Sequence, residues 1–92
     1  MRAAVPDPQH AAALAELEDL RRRVRRVRAD LDAAAQRARA GTELPWTGPA
    51  AGAWRDEVAG LLRDLDAGAT STEVLQRRIA ALEASLEEAS GG

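Results

Sequence analysis

From His10 to Ala89 the small and apolar residues of this chain recur in steps of three and four, and one short cluster of glycine and proline is all that interrupts them. Such steps return a side chain to one face of an α-helix, and their average of about 3.5 residues is the seam of a left-handed coiled coil. In the first stretch the seam reads His10, Ala13, Leu17, Leu20, Val24, Val27, Leu31, Ala34 and Ala38. In the second it reads Ala51, Trp54, Val58, Leu61, Leu65, Gly68, Thr72, Leu75, Ile79, Leu82, Leu86 and Ala89. Alanine fills 22 positions, Trp46 and Trp54 are the only aromatic residues, and Phe and Tyr are absent. Strands would therefore have little to pack with, and an all-α fold is predicted.

The 92 residues suffice for one small domain. Pro6 and Pro8 flank Asp7, which disfavours helix upstream and sets a start at Asp7 or Pro8, so the first helix is expected at about 8–40. Gly41 suits a left-handed cap that ends it. Between Gly41 and Pro49 lie two glycines and two prolines, which predicts a hairpin turn over 41–48. Pro49 then opens the second helix, with Thr47 or Gly48 as its cap, and that helix is expected over about 49–89 with the last residues frayed. Gly68 weakens a helix, and Thr70 followed by Glu73 has the form of a capping box. The heptad phase nevertheless passes through 68–72 unbroken, which favours one continuous or merely kinked helix. At about 1.5 Å per residue the helices would measure roughly 46 Å and up to roughly 60 Å, so the second would overhang the first.

An antiparallel hairpin of this kind buries one stripe per helix against a single neighbour. No cysteine and no metal cluster is present to staple it, and so small a core generally needs oligomerisation. Leu14, Leu62, Val74 and Val5 lie off the main seams and widen the apolar stripe to what a helix facing two neighbours requires. Dimerisation into a four-helix bundle is expected, with a second copy or with another helical hairpin protein. Its hairpin or dimer interface would use Leu17, Leu20, Val24, Val27 and Leu31 with Trp54, Val58, Leu61, Leu65, Leu75, Ile79, Leu82 and Leu86.

Catalysis is poorly provided for. His10 is the single histidine, at the start of the first helix, and Cys, Tyr and Lys are missing, so nucleophile–base pairs cannot be assembled beyond carboxylates and hydroxyls, and one histidine offers no metal-ligand spacing. No enzymatic activity and no cofactor is expected. All 13 basic residues are arginine, and residues 1–40 hold nine of them against six acids, while 43–92 hold four against nine. The halves attract each other. The run Arg21-Arg22-Arg23-Val24-Arg25-Arg26-Val27-Arg28 invites a nucleic-acid reading, but it wraps most of the helix circumference and carries no interleaved aromatic residue. Nucleic acid is not an expected partner; Arg21, Arg22, Arg25, Arg26 and Arg28 could instead meet an acidic protein. No stretch of 18 apolar residues exists to span a bilayer, and the first nine residues lack the apolar core of a secretory signal.

At the turn the chain reads Trp46-Thr47-Gly48-Pro49-Ala50-Ala51-Gly52-Ala53-Trp54-Arg55. In a chain of about this length it resembles the WXG family of small type VII secretion proteins of actinobacteria and Firmicutes, in which a Trp-x-Gly turn joins two antiparallel helices. The resemblance implies homodimers or heterodimers built as four-helix bundles and exported folded by a membrane ATPase-driven apparatus, as effectors or as export partners. Trp46 and Gly48 would be the motif pair, Trp46 packing at the bundle end and Gly48 letting the chain turn. The family's Tyr-x-x-x-Asp or Glu export signal has no counterpart here, since Tyr is absent; a partner chain would supply it. The resulting expectation is a protein that is cytoplasmic before export and leaves by a route without a cleaved signal peptide. The alternative is a cytoplasmic coiled-coil scaffold or adaptor that binds an acidic partner through its arginine-rich helix.

Overall fold

The computed structural model describes residues 7–91, and these form two helices, α1 (Pro8–Thr42) and α2 (Pro49–Gly91), joined by one turn. Asp7 caps α1 from an extended backbone (φ −62°, ψ 123°), and its carboxylate accepts from the Gln9 amide at 3.0 Å. Pro8, which has no amide to leave unpaired, takes the first helical position. Cross-helix contacts run antiparallel: Gly41 lies by Trp54, Leu31 by Gly68, and Arg21 by Glu83. The result is an all-α helical hairpin, a rod with extents of 77 × 15 × 14 Å. No helix among the described residues is long and apolar enough to cross a membrane.

Two local expectations need correction. Gly41 is not a left-handed cap, because α1 continues through it to Thr42 and Gly48 is the one described glycine with positive φ. Its role is spatial instead: a Cβ at Gly41 would stand 3.0 Å from Cη2 of Trp54, so glycine at 41 makes room for the indole. α2 shows no break at 68–72 and ends at Gly91, two residues beyond the expected 89. Gly68 lets the Leu31 side chain approach the α2 backbone, since a Cβ there would meet Leu31 Cδ1 at 3.2 Å. The hydroxyls of Ser71 and Thr72 donate back to the carbonyls of Ala67 and Ala69, so these polar residues satisfy themselves within the helix.

The core is a thin line. Val24, Ala51, Val58, Thr72 and Ile79 are buried, and Leu17, Leu31, Leu65 and Leu86 are half-buried at the same heptad position. With about 3.5 residues per turn, a residue three positions after this line points about 50° to one side, and a residue four positions after it about 50° to the other. Because the helices are antiparallel, the three-after flanks of both helices fall on one side of the hairpin and the four-after flanks on the opposite side.

The structure treats the two flanks unequally. On the four-after side Leu14, Arg21, Arg28 and Ala35 of α1 and Leu62, Ala69, Gln76 and Glu83 of α2 are all at least half-buried. On the three-after side Leu20, Val27, Leu61, Leu75 and Leu82 are 46 to 54% exposed. The seam line and the four-after side therefore close the hairpin, and the larger aliphatic residues of the three-after side lie half-exposed beside it, while Trp54 and Gly68 of that side still meet α1. Of the residues expected to widen the stripe, Leu14 and Leu62 do so within the hairpin, Val74 is exposed on the outer side, and Val5 lies outside the described residues.

The two glycine environments predict opposite responses. Gly41→Val should lose about 1–3 kcal/mol of stability by displacing Trp54. Gly52→Ala, whose Cβ would meet nothing within 4 Å, should gain about 0.5–1 kcal/mol from helix propensity. Thermal melts followed by circular dichroism check both; a Gly41→Val variant as stable as the parent would contradict the packing of Trp54 on α1.

Candidate functional site

The turn is held by backbone and by one arginine. After Thr42 the chain tightens through bonds from the Glu43 amide to the Ala40 carbonyl and from the Leu44 amide to the Gly41 carbonyl. The Trp46 amide then donates to the Leu44 carbonyl at 2.7 Å, across Pro45, which has no amide to offer. Gly48 adopts φ +105°, a backbone that L side chains rarely take, and its carbonyl accepts from the Gly52 amide as the first bond of α2. Gly48 thus stands in the cap position before Pro49. From nearly two turns into α2, the Arg55 guanidinium reaches back and donates to the carbonyls of Leu44 and Trp46. Sequence reading did not single out Arg55; its only signal is a position one residue beyond Trp54, facing the turn.

Trp46 and Trp54 form one aromatic unit, with ring centroids 5.9 Å apart and planes at 56°. Such a tilted pair sets the edge of one ring near the face of the other. Trp54 is half-buried against Gly41 and carries the contact to α1, whereas Trp46 rests on Trp54 and stays 47% exposed. Leu44 beside it is 60% exposed. The turn thus presents Trp46 and Leu44 outward as an apolar tip, with the indole of Trp46 set against Trp54.

The arginine run divides by direction. Arg21 meets Glu83 at 3.4 Å, and Arg28 meets Glu73 at 2.8 Å, both across the hairpin on the four-after side. Arg28 also holds Asp32 one turn on at 3.3 Å, and donates to the Ala69 carbonyl at 3.4 Å. The bond to Glu73, opposed by partial desolvation and helped by Asp32, raises the Arg28 guanidinium above its ordinary value, so it stays a fixed positive charge. Arg22 and Arg23 pair with Glu18 and Asp19 on their own helix. Among the described residues Arg25 and Arg26 have no carboxylate within salt-bridge distance. The five arginines read as an acidic-partner patch are therefore not one surface: two bridge the helices, one is paired locally, and two point outward.

A groove of about 240 Å³ opens between Leu31, Leu62 and Leu65, rimmed by Arg28, Asp32, Arg39 and Asp66. Its rim charges are mixed and do not converge on one point. No cluster of three metal-ligating side chains occurs among the described residues. The surfaces with interaction chemistry are the aromatic turn and the uncovered seam flank. No protein-family model, curated protein or solved structure matches the chain.

The turn geometry predicts that Gly48→Ala destabilises the hairpin by about 1–2 kcal/mol through backbone strain alone, since nothing lies within 4 Å of the added Cβ. Chemical denaturation should show a lower midpoint with an unchanged slope. An unaltered midpoint would mean that residue 48 does not need positive φ.

Proposed function

We propose that this chain is a WXG-like protein of a type VII secretion system, a small secreted substrate or the export partner of another protein, working as half of a four-helix bundle. The observation that carries this reading is the place of Trp46-Thr47-Gly48: the tripeptide occupies the turn between two long antiparallel helices, with Gly48 at positive φ and Trp46 exposed at the tip. A half-exposed tryptophan on a fixed turn is a surface that a secretion apparatus can read, and the helices behind it supply the stiff rod that folded export requires. The uncovered seam flank supports the partner half of the reading, because an apolar stripe of this periodicity calls for further helices. The missing tyrosine signal would then come from the chain that completes the bundle.

The scaffold reading, with an acidic protein docked on the arginine helix, draws less support. Arg21 and Arg28 are engaged within the hairpin, and Arg22 is paired on its own helix.

Trp46→Ala tests the secretion reading. Export into the culture medium should fall to background, while the circular dichroism spectrum and solution mass stay those of the parent, since Trp46 is 47% exposed at the turn. Export at the parent level would remove Trp46 from the signal and with it the motif assignment.

A further inference from the structure

The three-after flank is apolar yet open, and the two helices present it together: Leu20, Val27, Leu61, Leu75 and Leu82 are each 46 to 54% exposed on one side of the rod. On the opposite, four-after side, bridges run from Arg21 to Glu83 and from Arg28 to Glu73. We propose that these two bridges are an ionic latch. They hold the helices rolled so that the leucine flank stands open to a partner, and when they release, the helices roll back and the hairpin covers that flank itself. The proposal rests on the reading of the flank as the partner face and adds its regulation.

One seam line serves both arrangements. Val24, Val58, Thr72 and Ile79 lie on it and are buried, and a flank about 50° to either side can join them at the interface after a roll of about that angle. The three-after residues are matched for this. Arg21 is level with Glu83, and Leu31 with Gly68. Interpolating between them sets Leu20 level with Leu82, Val27 with Leu75 and Ala34 with Gly68, to within about one residue. Rolled inward, these make two aliphatic pairs and one small pair that admits close approach. Nearer the turn the three-after side is already in contact, since Trp54 and Gly68 meet Gly41 and Leu31 of α1. One hairpin thus contains both arrangements, and the stretch whose leucines lie open is the stretch that carries the arginine bridges.

What holds the flank open is weak. The four bridging side chains keep 17 to 50% of their own exposure, so water and salt reach them, and ion pairs of this kind contribute little. Against them stand Leu20, Val27, Leu75 and Leu82, which leave water when the helices roll, and burial of large aliphatic side chains is the stronger effect per residue. Arg21, Arg28, Gln76 and Glu83 regain hydration in exchange, while Leu14 and Leu62 lose part of their cover. The two arrangements are therefore close in free energy, which is the condition for a latch to decide between them. Arg28 is its main member, since one guanidinium holds Glu73, Asp32 and the Ala69 carbonyl at once.

The chain has no cysteine, so an introduced pair reports on the roll. Leu20→Cys with Leu82→Cys should form an intrachain disulfide poorly while the latch holds, because the two Cβ atoms must come within about 4.5 Å. Adding Arg28→Gln should favour that disulfide about tenfold in a glutathione buffer, and raising salt from about 20 mM to about 500 mM should move the parent pair the same way. Without the cysteines, Arg28→Gln should bind an apolar dye about threefold less than the parent, with a thermal midpoint equal or higher. Asp19→Asn, which breaks only pairs within α1, should change none of these. Sedimentation at the working dilution verifies that monomers are compared. Disulfide and dye responses that ignore Arg28→Gln would overturn the proposal. So would an Arg28→Gln variant that loses helicity or melts lower with more dye bound, because the bridges would then be plain struts. None of these readouts involves export, so their failure leaves Trp46-dependent export untouched. Parent-level export of Trp46→Ala with the latch responses intact would instead remove the secretion reading and keep the latch.

Discussion

Everything distinctive in this hairpin follows from how far each helix is turned about its own axis. Three contacts fix that rotation. Trp54 lies over Gly41, Leu31 lies over Gly68, and the Arg28 guanidinium spans from α1 to Glu73 and the Ala69 carbonyl. The arginine bridge turns the four-after flank toward the partner helix, while Gly41 with Trp54 and Gly68 with Leu31 keep the three-after side in contact where its residues are small or next to the turn. A rotation of half a residue spacing the other way would bury Leu20, Val27, Leu75 and Leu82 between the helices and leave the arginine bridges open to water.

The arginines make this rotation affordable. A long side chain can lay its methylene stem along an apolar seam while its charged head finds a carboxylate at the edge, so Arg21 and Arg28 help to close the four-after flank. The resulting intrachain core is slight: four apolar residues among those described fall below a tenth of their exposed area, and one of those is alanine. The chain exposes 7195 Å², against roughly 5,200 Å² for a compact monomer of its mass. Hydrophobic burial within one hairpin is therefore a small part of what a heptad pattern over both helices can deliver.

The helices, the turn and the capping at Asp7 and Pro8 were legible because each depends on local chemistry: periodicity, proline's missing amide, glycine's freedom at Gly48. Burial at Val24, Val58 and Ile79 was legible for the same reason. What the sequence could not assign was the division of the seam, since Leu20 and Arg21 compete for neighbouring flanks and the winner depends on residues far along the other helix. Gly41 was misread in the same way, its partner Trp54 lying across the turn. Arg55, which ties down Leu44 and Trp46, left no local sign, because donation to loop carbonyls requires only that the side chain reach them.

The most direct test of a hairpin with half its seam turned outward is the thermal unfolding midpoint of the parent chain, followed by circular dichroism over a hundredfold dilution. Association of folded chains stabilises them by mass action, so the midpoint should fall steadily as the chain is diluted. A midpoint identical at every concentration would contradict it, showing that the single hairpin is complete and that its exposed leucines have no partner among its own copies.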